Sequence, residues 1–151
     1  MNLGLDAHGF GLAFPFHIAF DDSLEIRQVG RSLERLFPEF SIGSKLDATV
    51  SLASPLGPFE AETLRSARNT LCVLEHRASG MKLRGQIVHD ESERIFWFLG
   101  SPWANRSEEL VQLGICASDY APHDATIEHL FLQHGQDATV ADAQRILEGV
   151  Q

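Results

Sequence analysis

Thr70-Leu71-Cys72-Val73-Leu74-Glu75-His76, Met81-Lys82-Leu83-Arg84-Gly85-Gln86-Ile87-Val88-His89 and Ile95-Phe96-Trp97-Phe98-Leu99-Gly100 follow one another with only short connections. Each run is rich in β-branched, aromatic or long apolar residues. The connections, Ala78-Ser79-Gly80 and Asp90-Glu91-Ser92-Glu93, are turn chemistry. Met81 to His89 alternates apolar and polar side chains, the signature of a half-buried strand. Ile95 to Gly100 is apolar on both faces, which predicts a central strand covered on both sides. Strands joined by such short turns run antiparallel, so this stretch sets the fold class.

Upstream, Phe14-Pro15-Phe16-His17-Ile18-Ala19-Phe20 reads as a strand with Pro15 at its start or on an edge, because proline gives no N–H to a ladder. Asp21-Asp22-Ser23 turns the chain into Leu24-Glu25-Ile26-Arg27-Gln28-Val29, which alternates and pairs as a hairpin. Gly30 ends it. Leu33, Leu36 and Phe37 then fall at helical spacing before Pro38. Residues 39–59 are punctuated by Gly43, Pro55, Gly57 and Pro58, which predicts loops with Leu46 and Val50-Ser51-Leu52 turned inward. Helices are expected over 60–68 and 106–113, ended by Asn69 and Gly114. Residues 1–11, with three glycines, read as a flexible cap.

Pro122 suits the first turn of a last helix, and Asp124 complements its dipole. Beyond them Ile127, Leu130, Phe131, Ala138, Ala141 and Ile146 recur at helical spacing, interrupted by Gly135. The expectation is an α+β domain over residues 12–121: an antiparallel five-stranded sheet with small helices on one face. A C-terminal signalling helix over 122–151 leads out of it.

The bulk properties narrow the function. In 151 residues, 44% are apolar and 22% charged, values of an ordinary globular domain. The net charge of −9 is repelled by phosphate backbones and anionic lipid, so nucleic-acid and membrane partners are not expected. Phenylalanine occurs ten times, against one Tyr and two Trp, which suits a core or an apolar interface. Cys72 and Cys116 belong to no CxxC pattern and read as free, buried thiols. With no membrane-spanning run and no signal peptide in the sequence, a cytoplasmic location is expected.

Four motifs give this order of elements a family likeness: Phe14-Pro15-Phe16-His17, Leu83-Arg84-Gly85-Gln86-Ile87, Phe98-Leu99-Gly100-Ser101-Pro102, and Ser118-Asp119-Tyr120-Ala121-Pro122-His123-Asp124-Ala125-Thr126. In order and separation they resemble the haem-NO-binding-associated (HNOBA) domain. That is the PAS-like region between the haem domain and the coiled coil of soluble guanylate cyclases, also carried by bacterial histidine kinases and diguanylate cyclases partnered with H-NOX proteins. The likeness covers roughly residues 10–135. It implies a PAS-like fold, dimerisation, and relay of a nitric-oxide signal from an H-NOX haem protein to an output domain. No GGDEF-type motif, kinase phospho-acceptor module or cyclase domain occurs here, so the output and the extent of the whole protein stay open.

No residue set reads as catalytic, cofactor-binding or metal-binding. The seven histidines form no HExxH or similar pattern. His17, in a strand among aromatics, reads as a structural imidazole. His123 and Asp124 read as a helix start rather than part of a triad, since no GxSxG elbow accompanies them. Gly85 inside a strand means a bulge, or room for a packed helix or small ligand. Arg84 and Gln86 share a face that is either solvated or against a partner protomer or the exit helix. Ser101, Pro102, Asp119 and Pro122 complete the structural motifs.

Two function classes remain. The first is an interaction and relay module without bound cofactor, forming a homodimer through Leu12, Phe14, Ile127, Leu130 and Phe131. The second is a sensor holding a small molecule in a cavity lined by residues such as Phe16, Ile18, Leu74, Ile87 and Phe98. An enzyme is not expected.

Overall fold

The computed structural model describes residues 4–67, 69–126 and 128. Helix α1 (Ala7–Ala13) comes first, followed by strands β1 (Ile18–Asp21) and β2 (Ile26–Val29), then helices α2 (Arg31–Leu36) and α3 (Leu46–Thr49). Strand β3 (Val50–Ser54), helix α4 (Ala61–Ser66) and the long strands β4 (Leu71–His76), β5 (Lys82–Asp90) and β6 (Ile95–Trp103) come next. Helix α5 (Ser107–Gln112) and a 3-10 turn (Ala117–Asp119) complete the described elements.

The strands form one antiparallel sheet in the order β2-β1-β6-β5-β4-β3. The sheet is six-stranded, not five-stranded. The extra strand is β3, which lies where loops were expected. It pairs Val50 with His76 and Leu52 with Leu74, then slips register before Ser54. Such a slip twists and blunts an edge strand.

Strand alternation divides the sheet into two faces. The inner face carries Ile18, Phe20, Leu74, Leu83, Ile87, Phe96 and Phe98, all at most 1% exposed. Leu33 of α2, Leu46 of α3, Leu64 of α4 and Leu110 of α5 join them in one core, so these small helices share one face. At the far edge of that core His76 sits between Phe37 and Phe40, with ring centroids at 4.5 and 5.6 Å. Its ring bonds to the Glu39 carboxylate at 2.8 Å and to Ser79 Oγ at 2.6 Å, so a buried imidazole leaves no orphaned nitrogen.

The outer face differs from expectation. β6 is central, but Ile95, Trp97 and Leu99 are only half-buried. Trp97 is covered by α1, in the segment expected to be a flexible cap, and the domain boundary drawn at residue 11 falls inside this helix. Asp6 caps it, accepting the Gly9 N–H at 2.7 Å. Phe10 then reaches Trp97 at 4.9 Å between ring centroids. Cys72 is fully buried, and burial pushes its thiol up to about 12. Cys116 is not fully buried as expected, but only half-buried.

Candidate functional site

The chain leaves the sheet through residues 116–126, and this exit segment is bonded to elements far from it in sequence. Asp119 is 6% exposed. Its carboxylate accepts the Cys116 N–H at 2.9 Å and pairs with the Arg35 guanidinium of α2. Its backbone carbonyl accepts the Ser32 hydroxyl, also of α2, at 2.7 Å. Tyr120 packs on Phe16 with centroids 5.3 Å apart and donates its hydroxyl to the Pro102 carbonyl at 2.8 Å. Burial raises the Tyr120 phenol well above its ordinary range, so it stays a donor. His123 Nε2 lies 2.9 Å from the Ala13 carbonyl oxygen at the end of α1, and its ring meets Phe14 edge-on at 5.9 Å. The exit is thereby joined to the core helix α2, the central strand β6 and the N-terminal helix α1.

The residues singled out in the sequence distribute over this region. Asp119, Pro122, His123 and Asp124 lie in the exit segment, where Asp124 accepts the Thr126 N–H at 2.9 Å. Ser101 and Pro102 lie near the end of β6, both buried. Gln86 is on the outer face of β5, exposed, opposite Leu71 and Leu99. His17 is buried beneath α1, with Nδ1 2.7 Å from the Phe14 carbonyl oxygen and Nε2 2.9 Å from the Gln28 side-chain nitrogen. Leu12 is 44% exposed on α1, and Phe14 is half-buried just after it. Ile127, Leu130 and Phe131, and the signalling helix expected over 122–151 from residue 129 on, lie outside the described residues.

Gly85 pairs with Gly100 across β5 and β6. A Cβ on Gly85 would stand 2.2 Å from the Leu99 carbonyl oxygen and 2.6 Å from the Gly100 Cα. The neighbouring β6 backbone thus occupies the space a side chain at this position would need. A groove of about 420 Å³ nevertheless opens between the exit segment and the sheet, with Phe14, Leu71, Leu99 and Thr126 on its walls. At its rim the Arg84 guanidinium lies 4.9 Å from the centre of the Trp103 ring.

Sequence reading missed Ser32 and Arg35, whose partner Asp119 lies far along the chain, and Gln28, which meets His17 across the hairpin. It also missed Phe10, for which a signal existed: Phe10 and Phe14 are spaced to share one helix face. Among the described residues no group of three or more His, Cys, Asp or Glu could hold a metal ion, and no helix is long and apolar enough to cross a membrane.

Asp119→Ala is expected to lower stability by about 1 kcal/mol or more, because the part-buried Cys116 N–H loses its acceptor and Arg35 loses its partner. Thermal unfolding measures the loss, and faster hydrogen exchange at the Cys116 amide locates it.

The comparisons with known proteins bear on this region directly. The family described as "Heme NO binding associated" matches residues 3–82 and 75–150. Human guanylate cyclase soluble subunit beta-2 is 30% identical over 149 residues, 91% of this chain and 24% of that protein. Human subunit alpha-2 is 30% identical over 151 residues, 93% of this chain and 20% of that protein. The rat beta-2 subunit is 33% identical over 131 residues, 80% of this chain and 19% of that protein. The chain thus spans only about a fifth to a quarter of the length of these relatives. With the family match running through both the sheet and the bonded exit segment, this chain belongs to the heme-NO-binding-associated family.

Proposed function

We propose that this chain is a PAS-like regulatory domain that dimerises and relays a signal, without catalysis of its own. In this reading it works in the cytoplasm as a homodimer. It passes a nitric-oxide signal from an H-NOX haem protein to an output domain such as a histidine kinase, diguanylate cyclase or guanylate cyclase. The observation that carries the reading is the bonding of the exit segment to α1, α2 and β6 at once. A shift of any of these elements moves the chain where it leaves the domain. The names of the relatives, guanylate cyclase subunits, supply the kind of output this would control.

The dimer reading draws on unused apolar surface. Leu5, Leu12, Leu71 and Val88 are 66%, 44%, 50% and 41% exposed, just before α1, on α1 and on the outer sheet face. A second copy packed there, together with Ile127, Leu130 and Phe131, would remove that surface from water. The small-molecule reading has less support. Phe16, Ile18, Leu74, Ile87 and Phe98 are at most 1% exposed and packed into one continuous core.

The purified chain, mixed with an H-NOX haem protein and sedimented with and without nitric oxide, tests the relay. The expected result is co-migration that changes on gas binding, with the Soret absorbance following the H-NOX protein alone. A Soret band on the isolated chain, or no co-migration in either gas state, would overturn it.

A further inference from the structure

His17 is 2% exposed and lies where α1 meets the outer sheet face. The Phe14 carbonyl can only accept, so Nδ1 carries the ring proton; the Gln28 amide NH2 can only donate, so Nε2 offers its lone pair. This is the bonding of a neutral imidazole, with both nitrogens in use. A second proton on Nε2 would point at the Gln28 NH2 group, and either that amide turns over or the ring leaves. Around the ring, Phe10 packs edge-on at 4.7 Å and Trp97 lies at 6.0 Å. Because α1 has no fully buried residue, its hold on the sheet depends on this cluster and on the His123 bond to Ala13.

Among the described residues, the elements packed here bring no carboxylate to bond the ring. At the N-cap of α1 Asp6 is taken up by the Gly9 N–H, and on the helix His8 is exposed. On β2, Arg27 is exposed and paired with Asp21. At the start of α2, Arg31 is exposed. On the exit segment His123 is exposed and Asp124 accepts from Thr126, while β6 offers the neutral Trp97. Burial lowers the His17 pKa below the ordinary 6.5, opposed by the bond to the Phe14 carbonyl.

We propose that His17 is an acid-sensitive latch for the N-terminal helix: the neutral ring holds α1 on the sheet, and protonation frees Phe10 from Trp97. A histidine charged less readily when docked than when free favours docking fully above 6.5. That advantage is lost as the pH falls from 6.5 through the lowered value, by up to about tenfold per pH unit inside that window. Because α1 also carries Leu12, the latch would regulate the proposed dimer, but it stands on contacts within a single chain.

The test uses residues 1–151 with Trp103→Phe, which leaves Trp97 as the sole tryptophan reporter. Trp97 emission and protease cleavage within residues 4–13 are followed as the pH falls below 6.5, with far-ultraviolet circular dichroism reporting the sheet. The expected result is a red shift of Trp97 and faster cleavage while the sheet signal stays constant. Gln28→Glu sets a carboxylate against Nε2 and should abolish the step, because the charged ring then stays bonded. His17→Gln, which cannot titrate, should abolish it too, whereas His8→Ala, at an exposed position of α1 outside the cluster, should leave it in place. No step in the parent chain, a step unchanged in either the Gln28 or the His17 variant, or a step removed by His8→Ala would overturn the assignment. Sedimentation of the same samples separates loss of the latch from loss of the dimer.

Discussion

Replacing Phe98 with alanine should lower the stability of the domain by about 3–5 kcal/mol, one of the largest single effects this fold offers. Phe98 is fully buried on β6, opposite Ile18 of β1 and Ile87 of β5. Its ring lies over Gly100, where a Cβ would come within 2.8 Å of the ring atoms. Sheet backbone borders the space the ring would vacate, and Gly100 has no side chain to move into it. A cavity that cannot collapse keeps its full cost. Since a domain of this size is stable by only about 5–15 kcal/mol, the melting temperature should fall by roughly 10 °C or more. Thermal unfolding followed by circular dichroism measures it, and an unchanged melting temperature would place Phe98 outside the core.

Gly85→Ala is the second large effect, expected near the upper end of the about 1–3 kcal/mol typical of overpacking. The added methyl meets the Leu99 carbonyl and the Gly100 Cα, which are backbone atoms that cannot rotate away. Relief requires β5 and β6 to move apart. Gly100→Ala presses on the Arg84 carbonyl in the opposite direction and needs the same separation. The double variant should therefore lose less stability than the two single variants added together. Denaturant unfolding of the four proteins tests this, and strict additivity would mean that the glycines act independently.

Local pattern and long-range bonding were unequally legible in the sequence. β5 was readable because Leu83 and Ile87 alternate with Lys82, Arg84 and Gln86, and a period of two has no rival interpretation over that length. β3 was hidden because Ser51, Ala53 and Ser54 have little intrinsic preference for a strand, and Pro55 follows them. It exists because β4 offers an unpaired edge, which is tertiary information. α1 was missed because Gly9 and Gly11 weaken a helix, while the contact that holds it, Phe10 on Trp97, joins distant residues. β6 read as covered on both faces because its residues are apolar on both; the actual cover of the outer face is one short helix, which leaves Trp97 and Leu99 half-buried.

The site itself follows the same rule. Asp119, His17 and His123 stood out in motifs, but of their partners only Phe14 did. Ser32 and Arg35 lie 87 and 84 residues from Asp119, and Ala13 lies 110 residues from His123. No local spacing announces such pairs. They arise because the fold brings α1 and α2 against the exit segment.

Sedimentation at micromolar concentration, of the wild-type chain beside a Leu130→Glu, Phe131→Glu double variant, tests the dimeric relay most directly. The wild type should sediment at twice the mass of the chain, and the variant should shift toward a monomer while its circular dichroism remains that of the folded sheet. A wild-type monomer, or a variant that dimerises as tightly as the wild type, would contradict it.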